Sequence, residues 1–290
     1  MREMRSPVYK KRLTVCICAI AVVVLLVAGL VYWRGANTVR VPILMYHHLS
    51  ETGDPGSTIS AEAFESHIEA LSGAGYEAVS FEELLDYVNN GAPLPKRPVI
   101  ITFDDGYMSV YETAFPILKK YNMKATSFII GILHGESVYK GRDYLPITPH
   151  FGDTEAREMA ASGIFSIQSH SYDMHHYIPY EAGSPRVGIL RKDDESEDEY
   201  LEAFIEDYTL SANQIANAVG LRPFAYSYPF GRSTQTAENI LKDLGVTVTL
   251  TIVAKHNTVV KNSPDSLFSL GRFNVPGDMT AQELLAMIKR

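Results

Sequence analysis

Apolar residues follow two alternating rhythms along this chain. Short runs rich in Val, Ile, Phe and Tyr recur at 39–46, 76–79, 98–103, 124–130, 164–168, 224–228, 246–253 and 267–275, and between most of them the apolar positions fall three and four apart. The first rhythm predicts strands, several continuous enough to be buried on both faces, and the second predicts amphipathic helices. Ser60, Ser80 with Glu83 three residues on, and Thr280 with Glu283 mark helix starts, the latter two as capping boxes. Helices are expected at 60–72, 80–89, 107–121, 153–161, 200–219, 236–244 and after Thr280, with a kink at Pro116, which has no N–H to give the preceding turn. Strands and helices alternating about eight times over roughly 250 residues predict an α/β fold, a distorted (β/α) barrel of about seven to eight strands rather than an open doubly wound sheet.

The first 34 residues stand apart from that pattern. Residues 13–33 form an uncharged, overwhelmingly apolar run, preceded by Arg2, Arg5, Lys10, Lys11 and Arg12 against the single Glu3. At about 1.5 Å per residue a helix of that length crosses the roughly 30 Å of bilayer hydrocarbon. The basic flank keeps the N-terminus cytoplasmic, and Tyr32 and Trp33 suit the outer interface. The run exceeds a typical signal h-region and no small-x-small site follows it, which favours an anchor over a cleaved signal. The expected organisation is a basic cytoplasmic tail at 1–12, a single transmembrane anchor at 13–33, a spacer at 34–39 and an extracytoplasmic domain at 40–290. Its localisation would be the cell membrane.

Composition narrows what the domain can do. With 290 residues, 46% of them hydrophobic, the chain can bury a sizeable core. Both cysteines, Cys16 and Cys18, fall in the apolar run, so the rest holds no disulfide. The full chain carries a net charge of -8, and residues 1–34 hold six of its 26 basic but one of its 34 acidic side chains. The remainder is therefore strongly acidic, a poor surface for nucleic acid and a comfortable one for neutral or cationic glycans. No Gly-x-Gly-x-x-Gly or phosphate loop follows a strand. The irregular stretch 181–199 reads as a solvated loop leading into the acidic first turns of a helix rather than a calcium site.

The unusual residues sit where predicted strands end. The run 98–103 stops at Asp104 and Asp105, followed by Gly106. Alone this is ordinary turn chemistry, but two adjacent carboxylates resist burial together without a cation, a shared proton or open water. His170 and His175 follow the strand at 164–168, and His47 and His48 follow the one at 39–46. A carboxylate with two imidazoles makes a metal site, and a barrel gathers the carboxyl ends of its strands on one face. A glycosidase would need two separated carboxylates, which an adjacent pair supplies poorly.

Thr102-Phe103-Asp104-Asp105-Gly106, the His170-Ser171 to His175 segment and the Pro229-Phe230-Gly231 turn resemble the first three motifs of the polysaccharide deacetylases, carbohydrate esterase family 4, with a nodulation-type deacetylase domain. Met45-Tyr46-His47-His48 and the five-residue gap between the histidines resemble the circularly permuted branch, which includes poly-N-acetylglucosamine deacetylases. The resemblance covers roughly residues 40 to 290. It implies Asp104 as general base, Asp105, His170 and His175 as ligands of a divalent metal (zinc foremost, with cobalt, nickel or manganese open), and His47 as the acid that protonates the leaving amine. It implies an oxyanion and substrate role for the turn Tyr228, Pro229, Phe230 and Gly231. The arginine that precedes this turn in many members is replaced by Ser227, so Arg272 or Arg232 is the candidate for orienting Asp104, and Asp173 for holding a ligand imidazole. With no late-histidine motif, His256 is the reserve acid. His48 reads as a neighbour of the site, His176 as an alternate to His175, and His67, His134 and His150 as surface residues.

The expected activity is metal-dependent hydrolysis of N-acetyl groups from a cell-surface glycan containing N-acetylglucosamine. An O-deacetylase and an idle, membrane-anchored glycan-binding module are the alternatives. Nothing in the sequence fixes the polymer or the oligomeric state.

Overall fold

The computed structural model describes residues 15–24, 37–139, 145–176 and 186–289. The chain divides into two units, Met1–Val39 and Arg40–Arg290. In the first, residues 15–24 are helical with exposed side chains. Among the described residues no helix is long and apolar enough to cross a membrane, and the rest of the expected anchor lies outside them.

The second unit is built on parallel strands. β1 (Ile43–Tyr46), β2 (Pro98–Phe103), β3 (Ala125–Ile129), β4 (Phe165–Ser169), β5 (Ala225–Ser227) and β6 (Val248–Leu250) lie side by side in chain order, and β7 (Phe273–Asn274) pairs with β1. The short strand Glu77–Ala78 adds to the start of β2. Leu270 makes a parallel bridge to Leu250, its N–H donating to Thr249 O at 2.8 Å, while Phe273 pairs with Leu44. The segment 270–274 thus bonds to both outer strands, and the sheet curls on itself as a distorted barrel. β2 is buried at all six positions, as expected of a strand covered on both faces.

Helices fill the connections. α1 (Ala61–Gly73) is capped by Ser60, and α2 (Phe81–Asn90) by the Ser80–Glu83 box. The predicted helix 107–121 is broken: α3 (Phe115–Lys120) carries Pro116 in its first turn, and ahead of it Val110–Ala114 widens to a π turn in which Phe115 N–H reaches Val110 O. A wider turn relieves the ring that Pro116 would otherwise drive into the preceding carbonyl. α4 (Asp153–Ala161) falls where its pattern put it, whereas α5 (Glu197–Val219) begins earlier than expected, because Ser196 and Glu199 form a further capping box. α6 (Gln235–Asp243) and α7 (Ala281–Ile288) complete the set. The predicted strand 246–253 is shortened to β6, and 267–275 to β7 with Pro264–Leu267 in a 3-10 turn, since the chain turns outward beyond Leu250 and Ile252 and Val253 are exposed.

Two apolar layers hold the barrel. One joins Leu44, Tyr46, Ile101 and Phe103 to Phe64, Ile68, Leu284 and Ile288, with the rings of Tyr46 and Phe64 edge to face at 5.1 Å. The other joins Tyr226 and Tyr228 to Phe204, Tyr208, Ile240 and Leu241. On the inner side Thr102 and Ser227, both buried, turn their hydroxyls toward the Arg272 guanidinium, and the Phe128 ring lies 5.9 Å from it. The two short polar side chains leave room for a large charged one to enter the barrel.

Part of the 181–199 insertion lies outside the described residues; of the rest, Asp193, Asp194 and the first-turn Glu197, Asp198 and Glu199 are exposed as expected, while Arg186 and Glu195 depart from the solvated reading. Glu195 is buried and bonded to Arg186, which also donates to Leu190 O at 2.9 Å. The paired charge is what permits that burial.

Candidate active site

The carboxyl ends of β1, β2, β4 and β5 deliver His47, Asp104 with Asp105, His170, and the Tyr228–Gly231 turn to one face. Three residues there have left-handed backbones: Asp105 at φ 72, Ser171 at φ 85 and Phe230 at φ 55. Outside glycine such conformations cost on the order of 1–3 kcal/mol each and persist where surrounding structure imposes them. Gly231, at φ 64, packs so closely that an added Cβ would stand 2.8 Å from the Ile252 nitrogen.

Asp104 is buried against Arg272. The guanidinium donates through Nη1 to Oδ1 at 2.6 Å and through Nη2 to Oδ2 at 2.7 Å. Arg272 is wholly buried, its Nε held by Thr251 O at 3.1 Å and its Nη2 also by Ser227 Oγ at 2.8 Å. Burial alone would raise the Asp104 pKa; the Arg272 charge, then that of His170, outweighs it and holds the carboxyl well below the usual range. Ser227, with its short side chain, leaves space for Arg272 and bonds to it. Arg232 is exposed and reaches neither carboxylate, because the turn that bears it points outward beside Ile252.

Asp105, His170 and His175 bring one ligand atom each within 4.8 Å of the others. His175 Nε2 lies 3.5 Å and His170 Nε2 3.7 Å from Asp105 Oδ1. That oxygen is buried with no hydrogen-bond partner, a state carboxylates avoid unless a cation completes them. His170 Nδ1 donates to Ser227 O at 2.6 Å, which fixes the ring with Nε2 facing Asp105. Burial pushes the His175 imidazole down to about 4 despite the pull of Asp105, so it stays neutral. A carboxylate oxygen without a partner and two imidazole nitrogens fit a divalent metal with nitrogen and oxygen preference.

His47 is half-buried, and its charge acts on both Asp104 and Asp105. His48 turns away to Ser109 Oγ at 2.8 Å. His176 contacts Asp173 Oδ1 at 3.2 Å, so the carboxylate expected to hold a ligand imidazole serves its neighbour instead. Within the turn the Tyr228 side chain is fully buried with its hydroxyl 3.5 Å from Glu238, and Pro229 is buried too. Only Phe230 borders the site, its ring 4.4 Å from that of His175. His256 packs edge to face against Phe273 at 5.1 Å.

Three histidines expected at the surface are buried. His67 bonds Tyr46 Oη and Met279 O, His134 bonds Asp153 Oδ1 at 2.9 Å, and His150 lies 4.9 Å from the Tyr107 ring. Each packs against an element distant in sequence, which no local pattern reveals. Two residues near the site also went unpredicted. Tyr107 lies beside Asp105, whose charge, with burial, raises the tyrosine pKa. Asp207 accepts the backbone N–H groups of Tyr172 and Asp173. A carboxylate on the apolar face of α5, among Tyr200, Phe204 and Tyr208, was the sequence signal for it.

The polysaccharide deacetylase family model matches residues 91–249. The chain belongs to the polysaccharide deacetylase family. Among solved structures of deacetylases, a de-N-acetylase from Aggregatibacter actinomycetemcomitans superposes with a TM-score of 0.72 at 26% identity, over 86% of this chain and 100% of that one. IcaB from Ammonifex degensii superposes with a TM-score of 0.71 at 26% identity, over 87% and 97%. A poly-β-1,6-N-acetyl-D-glucosamine N-deacetylase of Staphylococcus aureus (strain MRSA252) is 28% identical over 208 residues, 72% of this chain and 65% of that protein. YxkH of Bacillus subtilis (strain 168) is 36% identical over 134 residues, 46% of this chain and 43% of that one. The chain thus spans less than two thirds of the length of these curated deacetylase relatives.

Proposed function

We propose that this deacetylase removes N-acetyl groups from a polymer of N-acetylglucosamine, releasing acetate and leaving the free amine. One observation carries the proposal: the partnerless Asp105 Oδ1 faces two imidazoles beside a carboxylate clamped by arginine. Asp105, His170 and His175 would hold the metal, zinc foremost on the borderline character of nitrogen and oxygen donors. When bound, such an ion supplies Lewis acidity toward the amide carbonyl and a more acidic water.

The remaining work belongs to the protein's own groups. Asp104, ionised because Arg272 holds its charge, accepts the proton of the attacking water and keeps its orientation through the bidentate clamp. His47, near both carboxylates, gives the proton that the departing sugar amine needs. Phe230, whose ring lies 4.4 Å from that of His175, is the residue that would offer its backbone N–H to the developing oxyanion, a role that asks nothing of its ring. The names of the Staphylococcus and Aggregatibacter relatives support an N-linked acetyl group as the target.

The same proposal places the domain outside the cell, held by an apolar helix spanning 13–33. The supports are the uncharged run and the basic residues ahead of it.

The test is acetate release from poly-β-1,6-N-acetylglucosamine by the purified protein, stripped of metal and reloaded with zinc. Release that requires zinc is expected. Release from O-acetylated glycans alone, or none from either polymer, would overturn the assignment.

A further inference from the structure

The ligand pair His170 and His175 is joined by a loop whose shape must be fixed for both imidazoles to face Asp105. Ser171 takes a left-handed backbone, and its carbonyl accepts from Gly131 N at 3.0 Å while that of Tyr172 accepts from Ile132 N at 2.8 Å. From the opposite side comes Asp207, on α5 and 6% exposed. Its Oδ2 accepts Tyr172 N–H at 2.9 Å and its Oδ1 accepts Asp173 N–H at 2.7 Å. Met174, next in the chain, is buried in the same cluster as Tyr200, Phe204 and Tyr208 of α5. Every residue between the two histidines is therefore tied either to the β3 end or to α5.

We propose that Asp207 is a positioning residue, which presets the separation and direction of His170 and His175 by clamping the Tyr172–Asp173 backbone to α5 before any metal arrives. The proposal rests on the metal-site reading above. Two consecutive N–H groups need two acceptor oxygens, and of the short side chains only a carboxylate offers both; an asparagine would turn an NH₂ toward one of the donors. Gly131 makes the other jaw of the clamp. A Cβ there would meet Tyr172 Cα at 3.1 Å and Gln214 Oε1 at 2.7 Å, so the β3 end approaches this turn as closely as backbone allows. Outer residues that orient metal ligands typically govern affinity by about 10- to 100-fold.

Asp207→Asn tests this on the full chain, with Zn²⁺ competed against a chromophoric chelator and Co²⁺ used as a spectroscopic probe. The expected result is a metal-free variant that folds with a thermal midpoint near that of wild type, because burial already pushes the Asp207 carboxyl up to about 6 and removing its charge relieves that cost. Its Zn²⁺ affinity should fall about 10- to 100-fold, and the visible bands of the Co²⁺ form should change. A folded D207N variant that binds Zn²⁺ as wild type does, with an unchanged Co²⁺ spectrum, overturns the positioning role alone. Wild type that binds no Zn²⁺ overturns the metal reading as well. Where D207N does not fold, hydrogen exchange on the wild type decides: protection of the Tyr172 and Asp173 amides without metal, equal to that with it, supports presetting, and protection that appears only with Zn²⁺ refutes it.

Discussion

Arg272 grips both oxygens of Asp104 at 2.6 and 2.7 Å across a sequence separation of 168 residues. Neither partner has water to fall back on, since both are buried. A buried pair of this kind contributes little over an apolar substitute, but removing one member leaves an uncompensated charge and costs about 3–5 kcal/mol.

Arg272→Met should therefore destabilise the domain by about that amount in urea denaturation, and acetate release should fall with it. In Asp104→Asn/Arg272→Met much of the lost stability should return, because no bare charge remains. Additive losses in the double variant would show that the pair is not coupled.

Asp105→Ala, His170→Ala and His175→Ala are each expected to lose tightly held zinc and nearly all activity while circular dichroism stays that of the folded domain. Metal analysis after gel filtration is the check. Zinc content equal to wild type in all three would place the ion elsewhere.

The acid is tested by comparing two histidines. His47 acts on both carboxylates, whereas His256 packs edge to face against Phe273. His47→Ala should lower the rate by about 10²- to 10⁴-fold and flatten the falling limb of the pH profile. His256→Ala should leave turnover near wild type; the reverse outcome would exchange their roles.

Acid should weaken the metal-free domain in two windows. The folded His175 pKa, about 4, lies below the ordinary imidazole value of 6.5, so the unfolded chain takes up this proton first as pH falls. Stability from keeping His175 neutral is full above about 6.5 and is lost down to about 4. Asp104 is also depressed in the fold, relative to 3.8, so its contribution is full above that value and disappears only as pH drops toward the still lower folded value. Urea midpoints between pH 7 and pH 3 should fall more steeply for wild type than for His175→Gln in the first window, and the gap between wild type and Asp104→Asn should narrow in the second. Parallel curves would contradict both assignments.

The N-terminal proposal has its own check. Full-length chain should sediment with membranes, remain there in high salt, and be cut by protease added outside intact cells; a chain lacking residues 1–34 should be released. Protection of the domain under conditions that digest a known external protein would reverse the topology.

Much of this was legible in the sequence where physics is local. β2 is a continuous apolar run, the Ser80–Glu83 and Thr280–Glu283 boxes announce their helices, and a strand-end Asp pair with strand-end histidines announces chemistry. What stayed hidden depends on which distant elements meet. Arg272 and Arg232 look equivalent along the chain, and only the closing segment decides that one is buried against Asp104 while the other faces water. His67 reads as a surface residue until Tyr46 and the Met279 carbonyl are seen to cover it. Asp207 was visible as a carboxylate on an apolar helix face, yet its partners are two backbone amides that carry no mark in sequence.

The segment that closes the barrel also sets an order of events in the making of the enzyme. Synthesis proceeds from the N-terminus, so Asp104, His170, His175 and the turn at Phe230 are all made before Arg272 exists. Until residues 270–274 dock between β6 and β1, Asp104 must remain hydrated, because a lone carboxylate does not stay buried. A nascent or truncated chain can thus carry every ligand and still lack a dry, charge-compensated base. Hydrolytic competence arrives at once with the last strand, and prematurely ended products should be silent rather than weakly active.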